Sequence, residues 1–551
     1  MMTTQDENAV LSALRQGLPE VLPGYLPKQR WFGGKARTIQ SAEVPDIIPL
    51  RSESGDAYLI LCRVRYADGD NAVYALPLLQ ISSQRETSLR EGERPIPSIR
   101  VLGPGQDGSL TFCDALWNQD FAAWLLDSIA QGKTFKGHVG EVSGSPTRAF
   151  AKLRGDPSRP IGSSVLGVEQ SNTSVRFQDR LILKLFRHIE TGVNPDVEIC
   201  TFLTERTRYS HFPAVAGSLV YRAPGQEPAN VAVLQAFIPN QGDAWITTLR
   251  ALEEYFDRTG ALGRETVLPA KPLIELATEE APDSVRDQIG KSFEAARLLG
   301  KRTAELHVAL ASSSDDAAFS PEPFTDVYLR GLCDLMLDLS RNVFGLLRQR
   351  LGQLPPETGE SAAAVVEREA EVQAQFRRVL ESSIATSRIR IHGDYHLGQV
   401  LNTGADFVII DFEGEPARSL LERRVKRSPL RDVAGMLRSF HYAAHTAMLR
   451  QVERAPAGVS RGDLQARARY WQTWVSSAFL RGYFQAAGSA IFLPQNTQEL
   501  TTFLQAYLLD KAVYELGYEL NNRPDWVKIP LAGILQVLDG HGAAGRSGRA
   551  R

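Results

Sequence analysis

Ile391-His392-Gly393-Asp394-Tyr395-His396-Leu397-Gly398-Gln399 is the stretch on which the reading of this chain turns. The run Arg388 to His392 reads as a strand that empties into a short polar loop. Seventeen residues after Asp394 a second apolar run, Phe407 to Asp411, ends in Asp411-Phe412-Glu413-Gly414. Two carboxylates at the ends of adjacent strands, with a carboxamide between them, are expected to converge on one point. Phosphoryl transfer needs such a set: one carboxylate orients the attacking hydroxyl and takes its proton, while the other and the amide oxygen hold Mg²⁺ against nucleotide phosphates.

The spacing agrees with that chemistry. In protein kinases the catalytic Asp precedes a metal-binding Asn by five residues, and a later D-F-G opens with the second metal ligand. Here Gln399 follows Asp394 by five, and Asp411-Phe412-Glu413-Gly414 stands where the second motif belongs. Asp394 is therefore the expected base, with Gln399, Asp411 and Glu413 the expected metal side. A competing reading uses His392, His396 and Asp394 as zinc ligands, but their spacing falls in a loop and not on one helix face.

Upstream, Lys184 sits inside the apolar run Leu181-Ile182-Leu183-Lys184-Leu185-Phe186. A lysine there is costly unless paired, and Glu198 follows on a predicted helix, Asp196 to Arg206, announced by Asn194 and Pro195. A strand lysine paired with a helix glutamate positions nucleotide phosphates. The phosphate-covering loop is placed just before, at Ser171, Asn172, Thr173 and Ser174, where Asn tolerates left-handed backbone and hydroxyls add donors. Val233 to Ile238 runs into Pro239-Asn240-Gln241-Gly242 as a hinge between lobes, with the backbone from Gln235 to Phe237 set to meet an adenine edge. An ordinary connection reads equally well there.

The rest of the chain supplies the frame. With 551 residues it is too long for one ordinary domain. Lys and Arg (62) nearly cancel Asp and Glu (64), which argues against a nucleic-acid or anionic-membrane binder. No run approaches the length of a membrane span. The start, MMTTQDENAV, lacks a secretory pattern, and four scattered cysteines suit a reducing cytoplasm. The fold expected is α+β and bilobal, protein-kinase-like: a cap over 1–105, a β-rich N-lobe over 106–240, a mostly helical C-lobe over 241–540, and a disordered Gly/Ala/Arg-rich tail, 541–551. Within the cap, Tyr58 to Tyr66 and Ala72 to Ile81 read as strands behind an N-terminal helix. The Pro/Gly-rich segment Glu91 to Gly108 reads as a connection, and Ala261 to Asp287 and Gln353 to Ala363 as loop insertions.

HGDYHLGQVL together with IIDFEGEPARSLLERRVKRSPLRDVAGMLRSF closely resembles maltokinases, members of the aminoglycoside-phosphotransferase-like small-molecule kinases. KQRWFGGKAR (Lys28 to Arg37) resembles the maltokinase N-terminal cap, and GVEQSNTSVRFQDRLILKLFRHIETGVNPDVEI resembles its nucleotide lobe. The resemblance covers about residues 20 to 540. It implies ATP- and Mg²⁺-dependent phosphorylation of maltose to maltose 1-phosphate, feeding α-glucan synthesis, and a trehalose synthase partner that supplies maltose, the enzyme itself being monomer or homodimer. It also assigns Asp394 as base, Gln399 and Asp411 to Mg²⁺, Glu413 in support, and Lys184 and Glu198 to the phosphates.

The sugar must lie beside Asp394. On the last long helix Lys511, Tyr514, Glu515 and Tyr518 form a polar-aromatic stripe at 3–4 spacing, apart from an apolar stripe through Leu509, Ala512, Val513 and Leu516. With His396, the residues Lys511, Tyr514 and Glu515 are the candidate sugar contacts; a solvated Lys/Glu face is the other reading. The basic run Arg423 to Arg427 reads as solvated surface, or with Arg418 and Lys426 as phosphate-neutralising charge. Two rivals stand beside the maltokinase reading: a glucosamine or other amino-sugar kinase, whose pocket should offer extra carboxylates to an ammonium, and a catalytically silent carbohydrate sensor.

Overall fold

Turn chemistry and alternating apolar residues build the first half of the chain into sheets, and helical periodicity takes over in the second. The computed structural model describes residues 4–52, 55–81, 98–102, 109–167, 172–262, 266–381, 386–416, 418–454 and 460–546. The chain divides into two compact units, Met1–Pro239 and Asn240–Arg551.

The first unit opens with helix α1 (Thr4–Tyr25), whose Leu14, Leu18 and Leu22 recur every four residues and are fully buried. They cover a sheet of β1 (Ile39–Ser52), β2 (Gly55–Tyr66), β3 (Asn71–Ile81), β4 (Ser98–Leu102) and β5 (Ser109–Asp114), in the order β1-β2-β3-β5-β4. The strand β1 escapes a sequence reading because Pro45 and Pro49 interrupt it. It lies at an edge, where missing N–H donors are tolerated, and a register shift between Glu43 and Asp46 absorbs Pro45. Part of the expected Glu91 to Gly108 connection is the strand β4; residues 91–97 and 103–108 lie outside the described residues. The sheet runs on to Asp114, past the boundary expected at 105.

A second sheet follows. Its strands β6 (Thr134–Lys136), β7 (Glu141–Pro146), β8 (Ser163–Val165), β9 (Asn172–Phe177), β10 (Leu181–Phe186), β12 (Val215–Arg222) and β13 (Ala229–Ala236) run in the order β6-β7-β12-β13-β10-β9-β8. Three helices pack with it: α2 (Gln119–Ala130), α3 (Phe150–Arg154) and α4 (Pro195–Arg206). Asn194 starts α4 as its composition predicts, accepting from Asp196 N at 2.8 Å. The two sheets of this unit are tied by β11 (His188–Ile189), which pairs with β3. Arg187 ties them again. Its guanidinium, 1% exposed, donates to Thr173 Oγ1 (2.8 Å), binds Asp114, and lies 4.8 Å from the Trp31 ring. Trp31 is thus structural.

The second unit is helical: α5 (Ala244–Leu262), α6 (Leu273–Thr278), α7 (Asp283–Ile289), α8 (Lys291–Leu310), α9 (Asp326–Arg350), α10 (Pro356–Glu367), α11 (Glu369–Arg377), α12 (Leu420–Arg424), α13 (Leu430–Arg454), α14 (Arg461–Ala487), α15 (Thr497–Asn522) and α16 (Lys528–Arg546). The two expected loop insertions are in part helix: α6 and α7 fall in the first, and α10 begins in the second. The last helix also continues past Gly540 to Arg546. Two short strand pairs interrupt the helices, β14 (Glu322–Pro323) with β15 (Ser387–Arg388), and β16 (Val400–Asn402) with β17 (Phe407–Ile409). The motif loop is therefore not strung between two paired strands. Only Ser387–Arg388 is strand ahead of it, and the partner of Phe407–Ile409 is the segment just after Gln399.

Helices α8 and α14 meet backbone to backbone. A Cβ on Gly300 would lie 1.9 Å from Phe479 O, and one on Gly482 would lie 1.9 Å from Arg297 O. Neither neighbour is a side chain that can swing away. Gly482→Ala is therefore expected to force the helices apart at a cost of about 1–3 kcal/mol, read as a lowered apparent melting temperature. Ala and Gly proteins melting together would contradict this contact.

Candidate active site

In the first unit the apolar alternation of β10 leaves Lys184 half-buried between the buried Leu183 and Leu185. Its Nζ lies 3.8 Å from Asp196 Oδ2, and Asp196 is 1% exposed at the start of α4. Sequence reasoning passed over Asp196 in favour of Glu198, which stands half-buried two residues further along the same helix. The helix start offered a signal: a carboxylate in the first turn of α4, behind an Asn cap, is favoured by the helix dipole.

The phosphate-loop expectation needs correction. Asn172, Thr173 and Ser174 are not loop but the first residues of β9, paired with Phe186, Leu185 and Lys184, and all three are buried. The Thr173 hydroxyl is already occupied by Arg187. Ser171 lies outside the described residues. At the end of β13, Gln235 is 7% exposed, and its Nε2 finds no partner among the described residues. A buried amide left open next to the expected hinge suits a ligand edge. The hinge backbone is less available than expected. Ala236 N donates to Ala214 O and Phe237 N to Arg180 O, both at 2.8 Å, while Arg176 stacks 4.3 Å from the Phe237 ring.

In the second unit the motif loop is clamped by one face of α13. Asp432, Gly435 and Ser439 recur at i, i+3 and i+7. Asp432, 1% exposed, accepts from His392 N (Oδ2, 2.8 Å) and Gly393 N (Oδ1, 3.0 Å). Gly435 lets Tyr395 O approach to within 2.6 Å of where a Cβ would stand. Ser439 Oγ accepts from Leu397 N at 3.1 Å. From behind, His307 Nε2 reaches Asp432 Oδ2 at 3.1 Å, and its Nδ1 reaches Tyr483 Oη at 2.9 Å. Burial alone would raise the Asp432 carboxyl, but His307, His392 and the Gly393 N–H hold it below the usual carboxylate range. Asp432 was not singled out from the sequence, although its helix-spaced partners were visible in DVAGMLRS.

His392 is a structural part of this loop. Nε2 donates to Ile410 O (2.9 Å), and Nδ1 accepts from Asp394 N (3.4 Å). With both ring nitrogens used, the zinc reading loses a ligand. The loop places Asp394 with a quarter of its side chain exposed. Gln399 and Asp411 come together as expected, Gln399 Nε2 lying 2.9 Å from Asp411 Oδ2. Carboxylate oxygens of Asp411 and Glu413 lie within 4.8 Å of each other. Asp411 also has φ of 64°, one of two non-glycine residues in the left-handed region among those described. That backbone is costly for a side-chain-bearing residue and is kept where the position of the side chain matters. Oxygen donors gathered this way suit a hard cation such as Mg²⁺.

The sugar-side candidates divide. Lys511 Nζ lies 3.6 Å from Asp394 Oδ1, 4.0 Å from Glu415 Oε1 and 5.0 Å from the Tyr514 ring centre. Burial works to discharge Lys511, but Asp394, Glu515 and Glu415 outweigh it and raise its pKa. His396 stands in the same loop, Nδ1 accepting from Gly398 N at 3.1 Å. Burial holds it below the usual imidazole range despite Asp394. Glu515, by contrast, is bound by Arg438 through Nε (2.9 Å) and Nη2 (2.8 Å), and Tyr518 is exposed at 47% beside Arg523.

A buried charge cluster around Glu415 was missed from the sequence. Glu415, 5% exposed, binds Arg418 and accepts from Arg431 Nη2 at 2.9 Å. Burial would raise it, yet Arg431, Lys511 and Arg418 bring it down to about 2. Arg431 also faces Asp510, at 3.4 Å, whose own carboxyl burial pushes up. The basic run nearby is not a solvated surface. Lys426 is 7% exposed and donates to Ala317 O (2.7 Å) and Glu322 Oε1 (2.8 Å), away from any phosphate role, while Arg423 donates to the Arg418 and Glu413 carbonyls.

A folded carboxyl near 2 against an ordinary 4.5 contributes stability above about pH 4.5 that is lost as pH falls toward 2. The size is about 3 kcal/mol. Glu415→Gln is expected to flatten this acid limb in melts between pH 7 and 3. An acid limb as steep as the parent's would remove Glu415 from it.

Residues 25–116 match the maltokinase N-terminal cap domain. A glucosamine kinase of Mycolicibacterium smegmatis (strain ATCC 700084 / mc(2)155) is 24% identical over 379 residues, 69% of this chain and 80% of that protein. One from Streptacidiphilus jiangxiensis is 23% identical over 397 residues, 72% and 78%. The fold is that of a solved glucosamine kinase in complex with glucosamine, ADP and inorganic phosphate, with TM-score 0.60 and 18% identity over 94% of this chain and 99% of that one. A second crystal form of glucosamine kinase gives TM-score 0.61. No helix among the described residues is long and apolar enough to cross a membrane. The chain thus carries a segment matching the maltokinase N-terminal cap and has the fold that solved glucosamine kinases adopt.

Proposed function

We propose that this protein is an ATP-dependent sugar kinase that transfers the γ-phosphoryl group to the anomeric hydroxyl of maltose, giving maltose 1-phosphate. Asp394 accepts the hydroxyl proton, and Lys184, paired with Asp196, serves the nucleotide phosphates. Gln399, Asp411 and Glu413 would hold Mg²⁺, which when bound neutralises charge on the phosphates. Lys511 and Tyr514 face the acceptor, His396 flanks it, and Glu515 acts through Arg438.

One observation carries the choice of acceptor: the Lys511 ammonium stands 3.6 Å from Asp394, and the neighbouring Glu415 is already met by Arg418, Arg431 and Lys511. An acceptor bearing its own ammonium would meet a cation beside the base and no uncommitted carboxylate in this network, so a neutral sugar fits better. The cap at 25–116 supports maltose among neutral sugars. The glucosamine kinases among the relatives support the second reading, an amino-sugar kinase.

An ADP-release assay with ATP and Mg²⁺ over maltose, glucose, glucosamine and an aminoglycoside decides between them. Maltose is expected to give the highest kcat/KM, with the phosphate on the anomeric oxygen by ³¹P–¹H correlation. A higher kcat/KM for glucosamine would overturn the maltose assignment. Nucleotide and sugar binding without ADP release would favour the silent sensor.

A further inference from the structure

Within the second unit a cavity of about 160 Å³ opens behind the motif loop. Its walls include Leu397, Phe407, Phe440, Trp471 and Ala295, with Lys291 also on the lining. Three features make it more than a packing gap. Its volume matches the roughly 150 Å³ at which a cavity lined by apolar side chains takes up a benzene ring. Trp471 is 0% exposed, and its indole N–H has no acceptor among the described residues, so a buried donor is left open. Lys291 is the first residue of the 20-residue helix α8, whose cap residue Gly290 supplies no side-chain acceptor to the helix start. A helix start without a side-chain cap, the helix dipole and the Lys291 ammonium there favour negative charge.

We propose that this cavity is a binding site for a small aromatic carboxylate of one ring. The ring lies among Phe440, Trp471, Phe407 and Leu397, and the carboxylate at the Lys291 end of α8. Leu397 belongs to the loop between Asp394 and Gln399, so the ligand touches that loop through an apolar side chain. The proposal stands apart from the reaction assigned above, because it rests on cavity shape and donors and is read by binding alone.

The test is calorimetric titration of the full-length protein with benzoate, with acetate and toluene as partial probes. Benzoate is expected to bind at least tenfold more tightly than either. Ala295→Leu, which fills the cavity, should weaken benzoate at least tenfold, and Ala251→Leu, on another wall, should do the same. Trp471→Phe keeps the ring and loses the donor, and should weaken benzoate several-fold. Circular dichroism melts confirm that each variant is folded. Benzoate binding no tighter than acetate in the parent protein overturns the proposal without any variant. So does benzoate affinity unchanged in a folded Ala295→Leu protein.

Discussion

Asp394→Asn is expected to lower kcat by about two to four orders of magnitude, the usual range for removing a positioned general base, with the sugar KM changed by no more than a few-fold. Asparagine keeps the size of the side chain and the backbone hydrogen bond to His392. It loses the proton acceptor and the charge 3.6 Å from Lys511. The loss should therefore appear in the chemical step and not in binding. A second consequence follows from the same pair. Freed of Asp394, Lys511 loses its largest raising influence and becomes easier to deprotonate. The residual activity of the variant should thus carry an altered alkaline limb. Turnover near the parent's would show that some other group takes the proton.

Asp432→Ala is the other large effect. It strips acceptors from three buried donors at once: His392 N, Gly393 N and His307 Nε2. Each buried donor left without its acceptor costs about 1–3 kcal/mol. Part of that cost falls on global stability and part on the geometry of the loop. Asp432 is bound to the backbone of the motif loop and to His307. Its loss is therefore expected to lower kcat at least a hundredfold while ADP affinity, measured by calorimetry, stays within a few-fold of the parent. Asp432→Asn, which keeps one acceptor, should recover part of the melting temperature. Parent-like stability and turnover in Asp432→Ala would mean that the loop holds its shape without this anchor.

The convergence of the motif-loop residues was legible because they stand close together in the chain. Asp394, Gln399 and Asp411 stand on a short segment, and the structure brings Gln399 and Asp411 to 2.9 Å. The Asn194 cap and the half-buried Lys184 were legible for the same reason. What stayed hidden was pairing across distance. Nothing near Lys184 says that Asp196 stands 3.8 Å from it, since that depends on the rotation of α4. Glu415 was quoted within a motif but not weighed, because its partners Arg431 and Lys511 follow 16 and 96 residues later. The strand β1 was lost to its prolines. The run Asn172 to Ser174 was read as loop because its Asn, Thr and Ser favour turns when tertiary pairing is ignored.

The glycine crossing of α8 and α14 bears on how the molecule comes into being. Gly300 and Gly482 are far apart in the chain, and the motif loop, with Asp432 behind it, lies between them in sequence. As the chain leaves the ribosome, His392 to Gln399 emerge before Asp432, and Asp432 before Tyr483, which steadies His307. The motif loop is therefore made before the α13 face that clamps it and before Tyr483. A nascent chain halted ahead of α14 carries every residue proposed to hold the metal and take the proton, yet lacks Tyr483, which steadies His307, and the Gly482 crossing. Competence arrives only when the final third has been synthesised and closed over it.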